Sequence, residues 1–233
     1  MTETTKAVPG PRREQDVIPT SDGPLEITFI GHGSLMFAFG GKIVHIDPIT
    51  AEADYAKLPK ADLIAVTHDH YDHLDADAVA ALRKPGTEIV TGPTCVGKIS
   101  GAAILRSGQS HTAAGIPIEA VPAYNIKHMR APGQPFHPKG SGVGFVFTFG
   151  DKRVYVAGDT ENIPEMADLK AIDIAFLPMN LPYTMTPEMV ADAARKLHPR
   201  ILYPYHQGDT DCARLAALLK DEDGVEVRLR KMK

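Results

Sequence analysis

Thr67-His68-Asp69-His70-Tyr71-Asp72-His73 places three histidines and two carboxylates within six positions. Neutral imidazole and carboxylate are borderline-to-hard donors, suited to zinc, iron or manganese. The cluster is internal and mixes its donor types, unlike a solvated His-rich tract. It follows an apolar run, Leu63-Ile64-Ala65-Val66, that reads as a short buried strand. The expectation is a metal site at the C-terminal end of that strand.

The elements that must position such a site follow from periodicity and turn residues. An alternating strand is expected over 25–30, broken by Gly31-His32-Gly33. A hairpin follows over 34–39 and 42–47, turning at Gly40-Gly41. A strand over 62–67 feeds the histidine cluster. Asp75 is an N-cap for a helix to about Lys84, ended by Pro85-Gly86. Strands are expected over 87–91 and 116–124, with a short helix near Cys95 to Ser100. Residues 125–142 read as a long loop, a feature that often carries function. A second hairpin spans 143–149 and 152–157 around Gly150-Asp151. A strand over 173–177 precedes Thr186-Pro187, an N-cap with proline at the first helical position. That helix carries Met189, Val190, Ala193, Ala194 and Leu197 on one face. A strand over 200–204 leads to His206, and a helix over 211–221 and a strand over 225–229 finish the chain. Residues 1–23 are polar and Pro-rich and read as an arm ahead of a single domain over 24–233.

The two hairpins resemble each other. Phe37 to Ile46 can be laid on Phe147 to Val156 at an offset of 110, with five of ten positions identical. Asp62 to Val66 then matches Asp173 to Leu177, and the helices after Asp75 and Thr186 correspond. The expectation is two similar halves, packed sheet to sheet with helices outside. Corresponding strand ends would meet at one edge, bringing Asp159 and His206 within about 8 Å of the His68 cluster, since metal–ligand bonds are only ~2 Å long.

These residues resemble the metallo-β-lactamase superfamily. The resemblance rests on Asp47 after a hairpin, T-H-D-H-Y-D-H at 67–73, Gly158-Asp159-Thr160 after the second hairpin and His206 after a late strand. It runs from about residue 25 to 229. Gly31-His32-Gly33, Val121 to Asn125 and Tyr155 to Thr160 look like the branch that includes ascorbate-6-phosphate lactonase and N-acyl-phosphatidylethanolamine phospholipase D. The resemblance implies an α/β (α+β) four-layer αββα sandwich holding one or two ions, with Zn2+ expected and Mn2+ or Fe2+ as alternatives. It implies His68, His70, Asp72, His73, Asp159 and His206 as ligands, with Asp159 between the ions. Asp72, and His32 beside the site, are candidate catalytic residues; His32 reads as substrate-contacting or as supporting a ligand. Asp47 reads as holding a ligand imidazole in its tautomer, and Asp75 as either the same or an N-cap alone. Two cations ~3.5–4 Å apart bring a shared water near neutrality, ready to attack a carbonyl or phosphoryl centre.

The sequence departs from the family where one further histidine is usual, because the strand that should end in it reads Tyr124-Asn125. His137 is the favoured replacement and His128 the other option; with neither, the first ion would be weakly held. Tyr183, Thr184 and Lys139 are candidate substrate contacts, while His45 reads as a structural residue.

The reading is a hydrolase of a small ester, lactone or phosphodiester. Its rivals are an iron-dependent redox member of the same fold and a non-catalytic metal-binding or sensor protein. Over 233 residues the formal net charge is -4. That balance gives no general attraction to nucleic acid or to an anionic membrane. No apolar run approaches the ~20 residues that span a bilayer, and the first residues lack the apolar core of a secretory signal. Cys95 and Cys212 have neither metal-site nor redox spacing. The expectation is a cytoplasmic protein without structural disulfides, acting on a small molecule, with homo-oligomerisation left open.

Overall fold

The computed structural model describes residues 13–233. Its first half is a seven-stranded sheet whose strands follow chain order: β1 (Gln15–Thr20), β2 (Gly23–Gly31), β3 (Ser34–Phe39), β4 (Lys42–Ile46), β5 (Leu63–Val66), β6 (Glu88–Thr91) and β7 (Ala103–Ile104). Pairing is antiparallel from β1 to β4 and parallel from β4 to β7. Helix α1 (Ala76–Leu82) makes the crossover from β5 to β6. The second half supplies β8 (Ser110–Ala113), β9 (Ile116–Ala123), a separate ribbon of β10 (Met129–Ala131) and β11 (Gln134–Pro135), then β12 (Gly142–Phe149), β13 (Lys152–Val156), β14 (Ile174–Pro178), β15 (Ile201–Tyr205) and β16 (Glu226–Val227). The second sheet also has seven strands, in the order β8-β9-β12-β13-β14-β15-β16. Helix α2 (Pro187–Leu197) joins β14 to β15, and α3 (Cys212–Leu218) joins β15 to β16.

The sheets repeat one another strand for strand, antiparallel first and parallel after. Phe37 faces Val44 as Phe147 faces Val154, and Phe39 faces Lys42 as Phe149 faces Lys152. The period of two along each strand sorts side chains between two faces. Leu63 and Ala65 point into a core shared with Phe145, Phe147 and Phe149 of the other sheet. Ile64 and Val66 point outward onto Ala78, Val79 and Leu82 of α1. Val146 and Leu177 likewise pack under Val190, Ala194 and Leu197 of α2. The layers are therefore αββα. Asp75 caps α1 by accepting from the Asp77 and Ala78 amides, and Thr186 caps α2 by accepting from Met189. No described helix is long and apolar enough to cross a membrane.

Several expectations need correction. The polar arm over 1–23 lies outside the described residues up to 12, but Gln15–Thr20 is an edge strand paired to β2. Only Ile18 of its six residues is buried, and the inward positions on either side of it are Asp16 and Thr20, so no apolar alternation marks it. The helix expected near 95–100 is one 3-10 turn at Pro93–Cys95, ended where Gly97 takes a positive φ. The long loop over 125–142 contains the β10–β11 ribbon, too short for periodicity to reveal.

Candidate metal centre

The C-terminal ends of β2, β4, β5, β13 and β15 converge at one edge of the sandwich. They deliver His32, Asp47, His68 to His73, Asp159 and His206 respectively, and His137 arrives between β11 and β12. The side chains form two donor groups, His68–His70–His137–Asp159 and His32–Asp72–His73–His206, each with its ligand atoms within 4.8 Å of one another. Asp159 joins them. Its Oδ2 lies 3.2 Å from His137 Nε2 and 3.9 Å from His68 Nε2. Its Oδ1 lies 3.3 Å from His73 Nε2 and 3.5 Å from His206 Nε2. Asp72 Oδ2 is 3.4 Å from His206 Nε2 and 3.2 Å from His32 Nε2.

Buried hydrogen bonds hold several rings with Nε2 facing inward. Asp47 is fully buried and accepts from the Thr67 amide at 2.7 Å and from His73 Nδ1 at 2.8 Å. The Thr67 hydroxyl donates to Asp47 Oδ2 at 2.7 Å, so it accepts from His68 Nδ1 at 3.0 Å. Asn125 Oδ1 accepts from His137 Nδ1 at 2.7 Å and from the His137 amide at 2.9 Å. Its amide nitrogen donates to Glu161 Oε1 at 3.1 Å and to the Tyr183 carbonyl at 2.9 Å. Glu161, itself buried, accepts from the amides of Ile126, Lys127 and His128 at 2.7–2.9 Å. The ribbon that carries His137 is thus fastened beneath its first strand and again at the imidazole.

Close backbone approach is built in as well. Gly158 sits at φ +65°, and a Cβ there would lie 2.9 Å from the Val143 carbonyl oxygen. His32, Asp47 and His206 all take positive φ although none is glycine. Strained backbone of this kind clusters at functional sites.

The electrostatics match a site built for cations. Burial pushes the His68 imidazole well below its ordinary value, and neighbouring His73 adds to the shift. Burial also opposes charge on His73, but the carboxylates of Asp159 and Asp47 outweigh it and hold His73 well above the usual value. Asp159 is held well below the carboxylate range because His206 and His73 overcome its desolvation. Asp72 is lowered too: burial opposes ionisation, but hydrogen bonds from His206 and His32 prevail. His68 Nε2, His73 Nε2, His206 Nε2 and Asp159 Oδ1 are buried without a well-formed hydrogen bond. Such atoms cost about 1–3 kcal/mol each when left unpaired. All four belong to these convergent, mixed imidazole–carboxylate groups, so the residues present fit one divalent cation in each.

Other expectations resolve individually. Asp159 and His206 lie well within the expected distance of the cluster. His128 points away, its Nδ1 2.9 Å from the Thr184 carbonyl. Asp75 does no more than cap α1 and fasten the Thr50 amide and hydroxyl. Tyr183 lines the cleft beside the centre, but Thr184 is fully buried and Lys139 is paired with Glu165 at 2.6 Å. The sequence reading assigned His32 to substrate or support, whereas the structure seats it among the donors of the second group. Two charged residues carry no signal of this kind in the sequence: Glu161, which directly follows Gly158-Asp159-Thr160, and Arg130, which stands alone in the 125–142 stretch.

A two-sheet sandwich with paired imidazole–carboxylate groups at its edge defines a class, and the comparisons name it. Residues 26–206 match the family model described as a beta-lactamase superfamily domain. A UPF0173 metal-dependent hydrolase of Thermococcus kodakarensis is 32% identical, over 78% of this chain and 84% of the relative. The crystal structure of a metal-dependent hydrolase from Parabacteroides distasonis superposes with a TM-score of 0.90 at 46% identity, covering 95% of this chain and all of that one. Igni18, a metallo hydrolase of Ignicoccus hospitalis, gives 0.73 at 26% identity, over 90% and 96% of the two chains. The chain belongs to the metallo-β-lactamase superfamily, among its UPF0173 metal-dependent hydrolases.

Proposed function

We propose that this hydrolase cleaves a small ester, lactone or phosphodiester at a centre of two divalent cations, Zn2+ first among the candidates. The observation that carries the reading is Asp159, buried between the two donor groups with one carboxylate oxygen turned to each. His68, His70 and His137 complete one group, and Asp72, His73, His206 and His32 the other. Bound cations would supply Lewis acidity, polarising a carbonyl or phosphoryl oxygen and acidifying a water. The chain's own residues do the rest. Asp47, Thr67 and Asn125 fix imidazole tautomers so that Nε2 faces the centre. Asp72 lies on the cleft wall as a persistent carboxylate, placed to orient a water by accepting its proton in a hydrogen bond. Tyr183 and Asn180 line the same cleft and are placed to contact substrate there. The resemblance to the lactonase and phospholipase branch supports these substrate classes.

The test is a panel of esters, lactones and phosphodiesters, offered to protein stripped of metal and then loaded with Zn2+, Mn2+ or Fe2+. Turnover should appear only on loading, and Asp159→Asn should lose it by roughly 100-fold or more, since it disturbs both groups. A fully loaded protein that cleaves none of the three classes refutes the proposal, as does oxygen consumption by the iron form without hydrolysis.

A further inference from the structure

Two clefts of about 560 and 400 Å³ flank the metal centre, on either side of the β10–β11 ribbon. They share a wall of His70, Arg130, Phe136 and His137. Arg130 stands out in that wall. Lys98 is taken up by Asp69 and Lys139 by Glu165, and Lys127 lines neither cleft. Among the described residues, Arg130 has neither a carboxylate partner nor a hydrogen-bond acceptor. Its guanidinium instead lies 5.7 Å from the centroid of the Phe136 ring. Phe136 meets Tyr183 edge to face at 5.1 Å. An arginine over an aromatic ring keeps its planar fork open to a further partner.

The position of this arginine is set, not incidental. Glu161 holds the chain at 126–128, Asn125 holds His137, and the Phe136 amide donates to the His128 carbonyl at 3.4 Å. Arg130 lies between these fastenings on the strand facing the clefts. Its backbone is therefore held at a set place relative to His70 and His137, while its side chain is exposed at the wall of both clefts. The charge of the centre would favour the same kind of guest, because two divalent cations would exceed the charge of Asp47, Asp72 and Asp159 together.

The geometry points to a substrate with an anionic group remote from the bond that is cleaved: its carboxylate or phosphate is received by Arg130, and an apolar or aromatic portion lies along Phe136 and Tyr183 toward the metal centre. This rests on the hydrolytic reading for what is cleaved, but the anion subsite stands on Arg130 and its surroundings. Arginine recognises either anion through two parallel N–H···O bonds.

The test uses a carboxylate as the remote anion and separates the subsite from the hydrolytic reading. Metal-loaded protein is titrated calorimetrically with benzoate and with the three benzenedicarboxylates, whose second carboxylate samples three spacings. At least one dicarboxylate should bind about 10-fold or more tightly than benzoate, the scale of a charge-assisted pair. Arg130→Gln should abolish that advantage and leave benzoate binding unchanged, while Arg130→Lys keeps part of it. Phenyl phosphate against 4-carboxyphenyl phosphate repeats the comparison with phosphate at the metals. An advantage that survives Arg130→Gln, or equal weakening of all ligands, overturns the inference. Because binding needs no turnover, an Arg130-dependent advantage in a protein that cleaves nothing on the panel refutes hydrolysis and sustains the subsite. Conversely, once a substrate with a remote anion is found, a KM indifferent to Arg130→Gln overturns the subsite alone.

Discussion

Asn125→Ala tests the most unusual part of this centre. Asn125 stands where the family resemblance leads one to expect an imidazole, yet its side chain makes four hydrogen bonds, two of them to His137. Alanine leaves the His137 amide and Nδ1–H without their acceptor and removes a donor from Glu161 and from the Tyr183 carbonyl. At about 1–3 kcal/mol per orphaned group, with water recovering some of them, the fold should lose roughly 2–5 kcal/mol. The imidazole also loses what fixes its tautomer, which costs about 10–100-fold in metal affinity for comparable orienting groups. The loss should fall on one ion of the two. Asn125→Asp keeps the acceptor for His137 but sets a carboxylate 3.1 Å from Glu161. It should therefore destabilise the ribbon and spare the ring orientation. Chelator competition gives the two affinities, and urea unfolding of the stripped protein gives the stability. An Asn125→Ala protein that retains both ions with native affinity would refute the reasoning. So would one whose two sites weaken equally.

Three further outcomes are expected. His32→Ala should weaken the Asp72–His73–His206 ion and remove one histidine nitrogen coupling from the electron-spin-echo spectrum of the Mn2+ form, whereas an unchanged spectrum returns His32 to substrate contact. Gly158→Ala should cost about 1–3 kcal/mol in urea unfolding, because it combines a left-handed φ with a clash on the Val143 carbonyl. His45 is buried within β4 and its pKa is lowered by burial to about 4. The unfolded chain, near 6.5, binds the proton more tightly, so stability falls as pH drops below about 6.5 and levels off below about 4. Between pH 7 and 5 this amounts to about 2 kcal/mol by linkage, which His45→Gln should remove from the pH slope of urea unfolding; parallel slopes would contradict the assignment.

The chain discloses its architecture where packing dictates residue type. Leu63 to Val66 is apolar throughout because both faces of β5 are covered, and the two hairpins match because both fill the same kind of site between sheets. The donor set was legible for a related reason: coordination demands particular atoms at short spacing, so His68 to His73 cannot be mistaken for packing. The edge strand at Gln15–Thr20 was not legible because it buries a single side chain. His137 could be proposed, but only its hydrogen bond to Asn125 explains how the substitution works, and that contact joins residues twelve apart across a ribbon with no periodicity. Arg130 and Glu161 were invisible for the opposite reason to the histidines. A charged residue such as Arg130 in the three-residue β10, or Glu161 in the loop after β13, looks the same in the sequence whether solvent or a functional partner surrounds it.

The two-fold repeat gives the centre a second meaning. The first half brings His32, His68, His70, Asp72 and His73, and the second brings His137, Asp159 and His206, so both donor groups draw on both halves: His137 and Asp159 join His68 and His70, and His206 joins His32, Asp72 and His73. Every cation seated there is a rivet between two otherwise self-similar sheets. Slippage of one half against the other by a fraction of an ångström would register first as altered coordination, long before the shared core opened. The chain thus makes its chemistry an alignment gauge: only correctly mated halves can be catalytically competent.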